Sequence, residues 1–233
     1  MTRVAVLIDG GFFLKRAAAM RPETVGDADA TKRLVNHLVN RHLDKLNKTY
    51  ERSVAWSLLY RAFYYDAVPF AERAHLPITK KAIDYARTPE ATFRRELFDR
   101  LRQTRKFAVR LGEVRKDEGW YLPYGSTRSL LRGERRWEEL TDTDFSYGLR
   151  QKGVDMRIGL DIASITLKRQ ASIIVLVSGD ADFVPAAKLA RREGIEFILD
   201  PMDRRVSPAL FEHIDGLYSG LGRTASKQKD ETT

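Results

Sequence analysis

The stretch Ser172-Ile-Ile-Val-Leu-Val177, followed directly by Ser178-Gly-Asp-Ala-Asp182, decides the fold class of this chain. An uninterrupted run of aliphatic and β-branched residues predicts a strand that is buried on both faces, as strands of parallel sheets are. A second run of this kind, Val4 to Ile8, ends at Asp9-Gly10. Because Asp and Gly after an apolar run indicate a turn, both strands are predicted to end in turns that carry aspartates.

Helices and strands are predicted to alternate along the rest of the chain. Apolar residues recur at helical spacing, and the predicted helices cover 12–20, 30–48, 90–104, 154–169, 183–193 and 206–217. Further strands are predicted within 53–67, 107–114 and 195–199. Such alternation is typical of βαβ units, so we expect an α/β fold with a mostly parallel sheet and helices on both faces.

The domain organisation is expected to be simple. We predict one domain over residues 1–220. Within it, the polar segment 115–150 has no sustained period and is interpreted as an insertion or long connection, with a short helix around Trp137. Residues 221–233 are polar, and we expect them to form a disordered tail.

Composition excludes several classes of protein. The 233 residues include no cysteine, which excludes disulfide scaffolds, thiolate metal sites and cysteine nucleophiles and agrees with a cytoplasmic location. No apolar run approaches the roughly 18 to 20 residues of a membrane span, so we expect no membrane association. The net charge of +9 favours a polyanionic partner such as nucleic acid.

Aspartates follow both apolar strands and begin one helix. Parallel strands bind ligands at their carboxyl ends, so Asp9, Asp180 and Asp182 would meet at one edge if the two strands are neighbours. Asp155, near a helix start, is a candidate for the same edge, whereas Asp161 lies about 120° away around that helix. Clustered carboxylates repel one another unless a cation joins them, and oxygen ligands suit Mg²⁺ or Mn²⁺. Ordinary turn and capping roles remain the alternative interpretation of each aspartate taken alone.

Other catalytic motifs are missing or weak. The four histidines show no metal-pair spacing, and the chain contains neither a G-x-x-x-x-G-K-[ST] loop nor a G-x-S-x-G elbow. An aromatic run resembles RNA-stacking residues, but its alternating spacing is more typical of a core, and it comprises Tyr60, Phe63, Tyr64 and Tyr65.

Three blocks of this sequence together resemble the NYN domain family, in the LabA-like branch of the PIN-like ribonucleases. They are Val4-Ala-Val-Leu-Ile-Asp9-Gly-Gly, Lys152-Gly-Val-Asp155 with Asp161 six residues later, and Val175-Leu-Val-Ser178-Gly-Asp180-Ala-Asp182-Phe. The resemblance implies a three-layer α/β/α PIN-like fold and a Mg²⁺ or Mn²⁺ centre for hydrolysis of RNA phosphodiester bonds.

The resemblance also implies roles for single residues. Carried over by position, the metal-site acids are Asp9, Asp155, Asp180 and Asp182, with Asp161 as a further acid and Ser178 and Lys152 as supports. The chain departs from the pattern at one place: many relatives carry Asn where this chain has Phe12. A polar contact at the site is therefore expected to be missing.

The leading hypothesis is a metal-dependent endoribonuclease in which water, activated by the metal, attacks a phosphodiester. The segment 61–110 carries +6 of the net charge and is predicted to follow the RNA backbone, with Arg94, Arg95, Arg102, Arg105 and Lys106 as contacts. The alternatives are a catalytically weak RNA-binding or regulatory protein on the same fold and a nucleotide phosphohydrolase. Self-association stays open.

Overall fold

The computed structural model describes residues 2–50 and 55–222. Its elements, in chain order, are β1 (Val4–Asp9), α1 (Gly10–Met20), α2 (Ala28–Tyr50), α3 (Ala55–Leu58), β2 (Leu59–Ala67), β3 (Arg73–His75), β4 (Ala82–Asp84), α4 (Pro89–Arg102), β5 (Phe107–Tyr121), α5 (Tyr124–Leu131), β6 (Ser146–Lys152), α6 (Val154–Leu167), β7 (Ile173–Val177), α7 (Val184–Arg192), β8 (Glu196–Asp200), α8 (Pro208–Phe211) and β9 (Gly216–Leu217). None of the helices in these residues has both the length and the apolar character to cross a bilayer.

A seven-stranded sheet in the order β6-β5-β2-β1-β7-β8-β9 organises the fold. All neighbouring strands pair in parallel except β6, which is antiparallel to β5 at one edge. Strand order reverses direction at β1, because β2 and β5 extend the sheet on one side of it and β7 and β8 on the other. The predicted α/β fold with a mostly parallel sheet is therefore confirmed, and the two decisive strands are direct neighbours.

Helices cover both faces of the sheet and form two apolar layers. On one face, α1, α2 and α4 pack against alternate strand residues such as Val6 and Ile8. On the other face, α6 and α7 pack against residues such as Ala5 and Leu7. Burial on both sides explains why β1 and β7 are continuously apolar rather than alternating. The structure is thus the three-layer α/β/α arrangement that the resemblance implied.

The polar segment 115–150 extends the sheet at its two ends, in β5 and β6, and residues 122–145 connect these strands through α5 and short 3₁₀ turns. β5 runs on to Tyr121 and returns as β6, with pairing from Glu113↔Lys152 to Tyr121↔Ser146. A 3₁₀ turn at Trp137–Glu139 stands where a short helix was predicted. The sequence hides this hairpin because its strands are held by cross-strand hydrogen bonds at an edge and not by burial of one apolar face.

The C-terminal part differs from its prediction. A single helix was expected over 206–217, but α8 spans only Pro208–Phe211 and Gly216–Leu217 joins the sheet beside β8. Asp215 causes the change of direction, because its backbone N–H donates to the Phe197 carbonyl and its carboxylate accepts from the Phe197 N–H, each at 2.8 Å. Of the predicted tail, Leu221 is buried, and residues 223–233 lie outside the described residues.

Candidate metal centre at the carboxyl edge of the sheet

The two decisive strands end side by side. Ile8 of β1 pairs with Val177 of β7, so Asp9 and the loop that begins at Ser178 leave the same edge of the sheet on adjacent strands. Adjacent strands lie about 4.8 Å apart. This edge is also the point at which strand order reverses, where α/β sheets characteristically bind ligands.

Asp9 is fixed at this edge by the start of α1. Its Oδ1 accepts a hydrogen bond from the Phe12 N–H at 3.0 Å, which makes it the N-cap of α1. A Cβ at Gly10 would lie 2.6 Å from the Tyr65 carbonyl oxygen, so only glycine lets the helix begin this close to β2. The Asp9-Gly10 pair therefore has a structural role, and that role also holds the carboxylate at the strand end.

Burial and neighbouring charge make Asp9 an unusual carboxylate. Loss of hydration, with repulsion from Asp155 and Asp66, raises its pKa from 3.8 to about 6 against the lowering effect of the Phe12 hydrogen bond. The ionised Asp9 carboxylate therefore lowers the free energy of unfolding.

A stability prediction follows for Asp9→Asn. An acid whose pKa is higher in the folded than in the unfolded chain opposes folding above the folded value, here about 6, and the penalty disappears below about 3.8. The shift corresponds to about 3 kcal/mol, and Asn keeps the capping oxygen. We expect Asp9→Asn to raise the free energy of unfolding by about 2–3 kcal/mol at pH 8 and by little at pH 4.

Urea denaturation in EDTA at the two pH values measures this difference. A variant that is less stable than the wild type at pH 8 would contradict the electrostatic account of Asp9.

The loop after β7 presents two further aspartates. Asp180 caps a 3₁₀ turn at Ala181–Phe183 by accepting from the Asp182 N–H at 2.9 Å, and its own N–H donates to the buried Ser178 hydroxyl at 3.3 Å. Capping was considered at sequence level for Asp182, but the structure gives that role to Asp180. Ser178, for which a supporting role stays a prediction, contacts the backbone of Asp180 through this bond, and both carboxylates are exposed at the sheet edge.

Asp155 approaches from the opposite face of the sheet in the first turn of α6. Gly153 begins the helix at φ +79°, and a Cβ at Gly112 of β5 would lie only 2.5 Å from the Lys152 carbonyl oxygen. These two glycines allow the β6–α6 turn to pass close over the sheet. Partial burial, followed by repulsion from Asp180 and Asp182, raises the pKa of Asp155. Charge coupling thus links Asp155 both to Asp9 and to the loop after β7.

Asp66 is a member of this edge that sequence reasoning missed. It is fully buried near the end of β2, where Asp9 pairs with Tyr65. Its Oδ1 accepts from Arg94 Nη1 at 2.6 Å, and burial raises its pKa although Arg94 opposes the shift. The signal was available, because Asp66 follows an aromatic strand just as Asp9 follows an aliphatic one. It was overlooked because the predicted strand segment ran past it to residue 67.

Asp161 stands apart from these contacts. Its Oδ2 accepts from the Tyr65 hydroxyl at 2.8 Å and from Arg110 Nε at 3.3 Å. Six residues beyond Asp155 on α6, it points to a different part of the sheet, as the helical geometry predicted. The structure therefore brings Asp161 into a hydrogen-bonded group with Tyr65 and Arg110.

The comparisons with known proteins add a family. Residues 135–212, which include Asp155, Asp180 and Asp182, match the family model of the NYN domain. This part of the chain is therefore similar to NYN domains. NYN domains are nuclease domains of the PIN-like class, and the LabA-like branch stays a prediction.

Three solved structures have a partial and distant likeness to this chain. A protein of unknown function from Vibrio parahaemolyticus is 17% identical with a TM-score of 0.47, over 94% of this chain and 92% of that one. A Sir2 mutant with a p53 peptide and NAD is 10% identical with a TM-score of 0.35, over 93% and 86%. Sir2 bound to an acetylated peptide is 10% identical with a TM-score of 0.34, over 93% and 87%. No curated protein matches the chain in sequence.

Phe12, which stands where the resemblance led us to expect Asn, packs over the loop after β7. One of its ring carbons lies 2.9 Å from where a Cβ at Gly179 would be, so Gly179 makes room for the ring. An apolar ring therefore fills the space beside Asp9 and Asp180 in which a polar side chain was expected.

The predicted RNA contacts are distributed over two ends of the molecule. Arg94 pairs with Asp66 at the carboxyl edge, and the neighbouring Arg95 donates to the Ala86 carbonyl. Lys106 instead donates to the Trp56 and Leu59 carbonyls, next to the start of β2. Arg102 ends α4, and Arg105 lies in the turn just before β5, so both are at the amino ends of the strands with Lys106. Arg94 is thus the one of these five that directly contacts a carboxylate of the sheet edge.

The oxygen donors at this edge are of the type that binds a hard divalent cation, although their present arrangement does not form a complete binding site. Among residues 2–50 and 55–222, no three acidic or histidine side chains are close enough to form a finished metal site. The buried Asp66 Oδ2 and Tyr64 hydroxyl have no hydrogen-bond partner within this described part of the chain. Mutual repulsion, orphaned oxygens and an all-oxygen donor set are the features that a Mg²⁺ or Mn²⁺ ion would satisfy.

Proposed function

We propose that this protein is a divalent-metal-dependent endoribonuclease of the NYN type whose reaction centre is the carboxyl edge of the sheet. The observation that carries the proposal is that Asp9 ends β1 while Asp180 and Asp182 follow the adjacent parallel strand β7, at the point where strand order reverses. Besides burial, repulsion from Asp155 raises the pKa of Asp9, and repulsion from Asp180 and Asp182 contributes to the raised pKa of Asp155. Perturbed carboxylates that converge at a strand-order reversal are characteristic of active sites. The NYN match over residues 135–212 supports nuclease chemistry.

The residues that would hold Mg²⁺ or Mn²⁺ are Asp9, Asp155, Asp180 and Asp182. A divalent cation supplies Lewis-acid polarisation of a phosphate and lowers the pKa of water. Hydrolysis forms one bond from phosphorus to the oxygen of water and breaks one ester bond, so the products are a phosphate monoester and a hydroxyl group.

The chain's own residues have distinct tasks in this scheme. The N-cap bond to Phe12 orients Asp9, and the Ser178 and Asp182 hydrogen bonds orient Asp180. We assign Lys152, exposed three residues before Asp155, to a phosphate flanking the cleaved bond. Asp66, coupled to Asp9 and neutralised by Arg94, is assigned to positioning rather than to the reaction.

Incubation of the purified protein with single-stranded and structured RNAs, in Mg²⁺, Mn²⁺ or EDTA, tests the proposal. Binding is followed separately by fluorescence anisotropy across salt concentrations. We expect internal cleavage with either cation and none with EDTA. Salt-sensitive binding without cleavage would favour the RNA-binding alternative. Hydrolysis of mononucleotides but not of RNA would favour the phosphohydrolase.

A further inference from the structure

A cavity of about 230 Å³ opens beside the carboxyl edge, and the reaction centre does not use it. The cavity is lined by the end of β2, by the segment 68–88 that follows it, by the start of α4 and by the β5–β6 hairpin. Its lining residues include Ala67, Phe70, Tyr85, Arg94, Leu149 and Gln151. The volume is far above what a single water needs and below that of typical drug-sized sites. Its size therefore suits one small planar group.

Aromatic side chains build one wall of the cavity. The rings of Phe70 and Tyr85 meet edge to face at 5.3 Å, and Tyr85 stacks on Tyr147 at 5.3 Å with an interplanar angle of 17°. Trp120 supports Tyr147 from β5 at 4.9 Å and is itself fixed by donating its indole N–H to the His75 carbonyl. These rings are half-buried, whereas Tyr64 and Tyr65 of the aromatic run in β2 are fully buried in the core.

Two residues that line the cavity, Arg94 and Gln151, also lie beside the candidate metal centre. Arg94 lines the cavity and holds Asp66, whose charge acts on Asp9. Gln151 also lines it, and its Oε1 lies 3.7 Å from where a Cβ at Gly11 would be, two residues beyond Asp9. A ligand in the cavity would therefore lie next to the proposed cation site, because Arg94 and Gln151 border both.

We propose that this cavity binds a nucleobase of single-stranded RNA, that of the nucleotide next to the cleaved phosphate. The inference rests on the proposed function and adds a substrate class to it. A base offers a π-face to Tyr85 and Phe70 and hydrogen-bonding edges to Gln151, Thr88 and Glu90, which also line the cavity. Because a base inside a duplex is stacked and paired, only an unpaired nucleotide can enter.

The binding test uses oligoribonucleotides with the Asp180→Asn protein in EDTA, so that no cleavage interferes. One oligonucleotide series carries an abasic residue at each position in turn, and another carries the fluorescent base 2-aminopurine. Base stacking on an aromatic side chain is worth about 5- to 150-fold in affinity. We expect one abasic position to weaken binding by an amount in this range and 2-aminopurine at that position to be quenched.

Side-chain variants locate the effect. We expect Tyr85→Ala to weaken binding about as much as the abasic residue does and Tyr85→Phe, which keeps the ring, to bind like the wild type. Tyr124→Ala, at a tyrosine that is 78% exposed on α5, is the matched control and is expected to have no effect. Thermal melting shows whether Tyr85→Ala folds. If it does not, Gln151→Ala is the variant that tests the site. It is expected to reduce the abasic effect.

The outcomes separate the two proposals. Uniform sensitivity to abasic positions, or equal binding by Tyr85→Ala and the wild type, would overturn the base site even if the protein cleaves RNA. Position-specific quenching that is lost in Tyr85→Ala would support the base site even if no cleavage is found. Tight binding of duplex RNA with no single-strand preference would also overturn it.

Discussion

Replacing Asp180 with asparagine is expected to abolish Mn²⁺-stimulated RNA cleavage while the fold is retained. The change removes a carboxylate charge from the proposed cation site, and losses of this kind are on the order of a thousandfold or more. The fold should persist because Asn keeps the side-chain oxygen that accepts from the Asp182 N–H. Initial cleavage rates of a labelled RNA, with circular dichroism as the folding check, measure the effect.

A matched control separates this loss from a general effect of removing an acid. The control is Asp99→Asn, which makes the same substitution away from the site. Asp99 is 64% exposed on α4 and pairs with Arg102. We expect this variant to cleave like the wild type. Unchanged cleavage by Asp180→Asn would remove Asp180 from the mechanism, and equal losses in both variants would show that the loss is not specific to the proposed cation site.

Replacing Arg94 with alanine is expected to lower the free energy of unfolding by about 3–5 kcal/mol. Arg94 is 18% exposed, and its partner Asp66 is fully buried, so the change leaves a carboxylate in the interior without its counter-charge. Burial already raises the pKa of Asp66, and without Arg94 the shift would be larger. The loss should therefore become smaller as the pH falls from 8, because protonation of Asp66 removes the unpaired buried charge.

Two companion variants test the cause of this loss. Arg95→Ala removes the adjacent, exposed arginine of the same helix and is expected to change stability much less. Asp66→Asn combined with Arg94→Ala should recover part of the stability, because no buried charge is left unpaired. If Arg94→Ala is as stable as the wild type at pH 8 in urea denaturation, the pair does not support the sheet edge.

The positions of Asp9, Asp180 and Asp182 could be predicted because the end of each apolar run marks the end of a strand. An uninterrupted apolar run predicts a strand covered on both faces, and the aspartates that follow must then lie at its carboxyl end. Asp155 was predictable from its place at a helix start. That β1 and β7 are neighbours was a hypothesis, because pairing between distant segments depends on the whole topology.

What could not be predicted depends on contacts between distant segments. The sequence around Asp66 does not reveal that Arg94 neutralises its carboxylate. The sequence around Trp120 does not reveal that its indole N–H holds the segment 68–88 by donating to the His75 carbonyl. The β5–β6 hairpin is polar because it extends an edge, so no apolar period marks it. The basic segment also contains Arg102, Arg105 and Lys106, but the end of α4 and the turn after it place these three at the amino ends of the strands.

The most direct test of the central claim is a crystal structure of the protein with Mn²⁺, with diffraction data collected at the manganese absorption edge. The account predicts an anomalous difference peak at the carboxyl edge, with oxygen ligands from Asp9 and from at least one of Asp155, Asp180 and Asp182. A saturated crystal with no peak among these carboxylates, or with manganese bound only elsewhere, would contradict it.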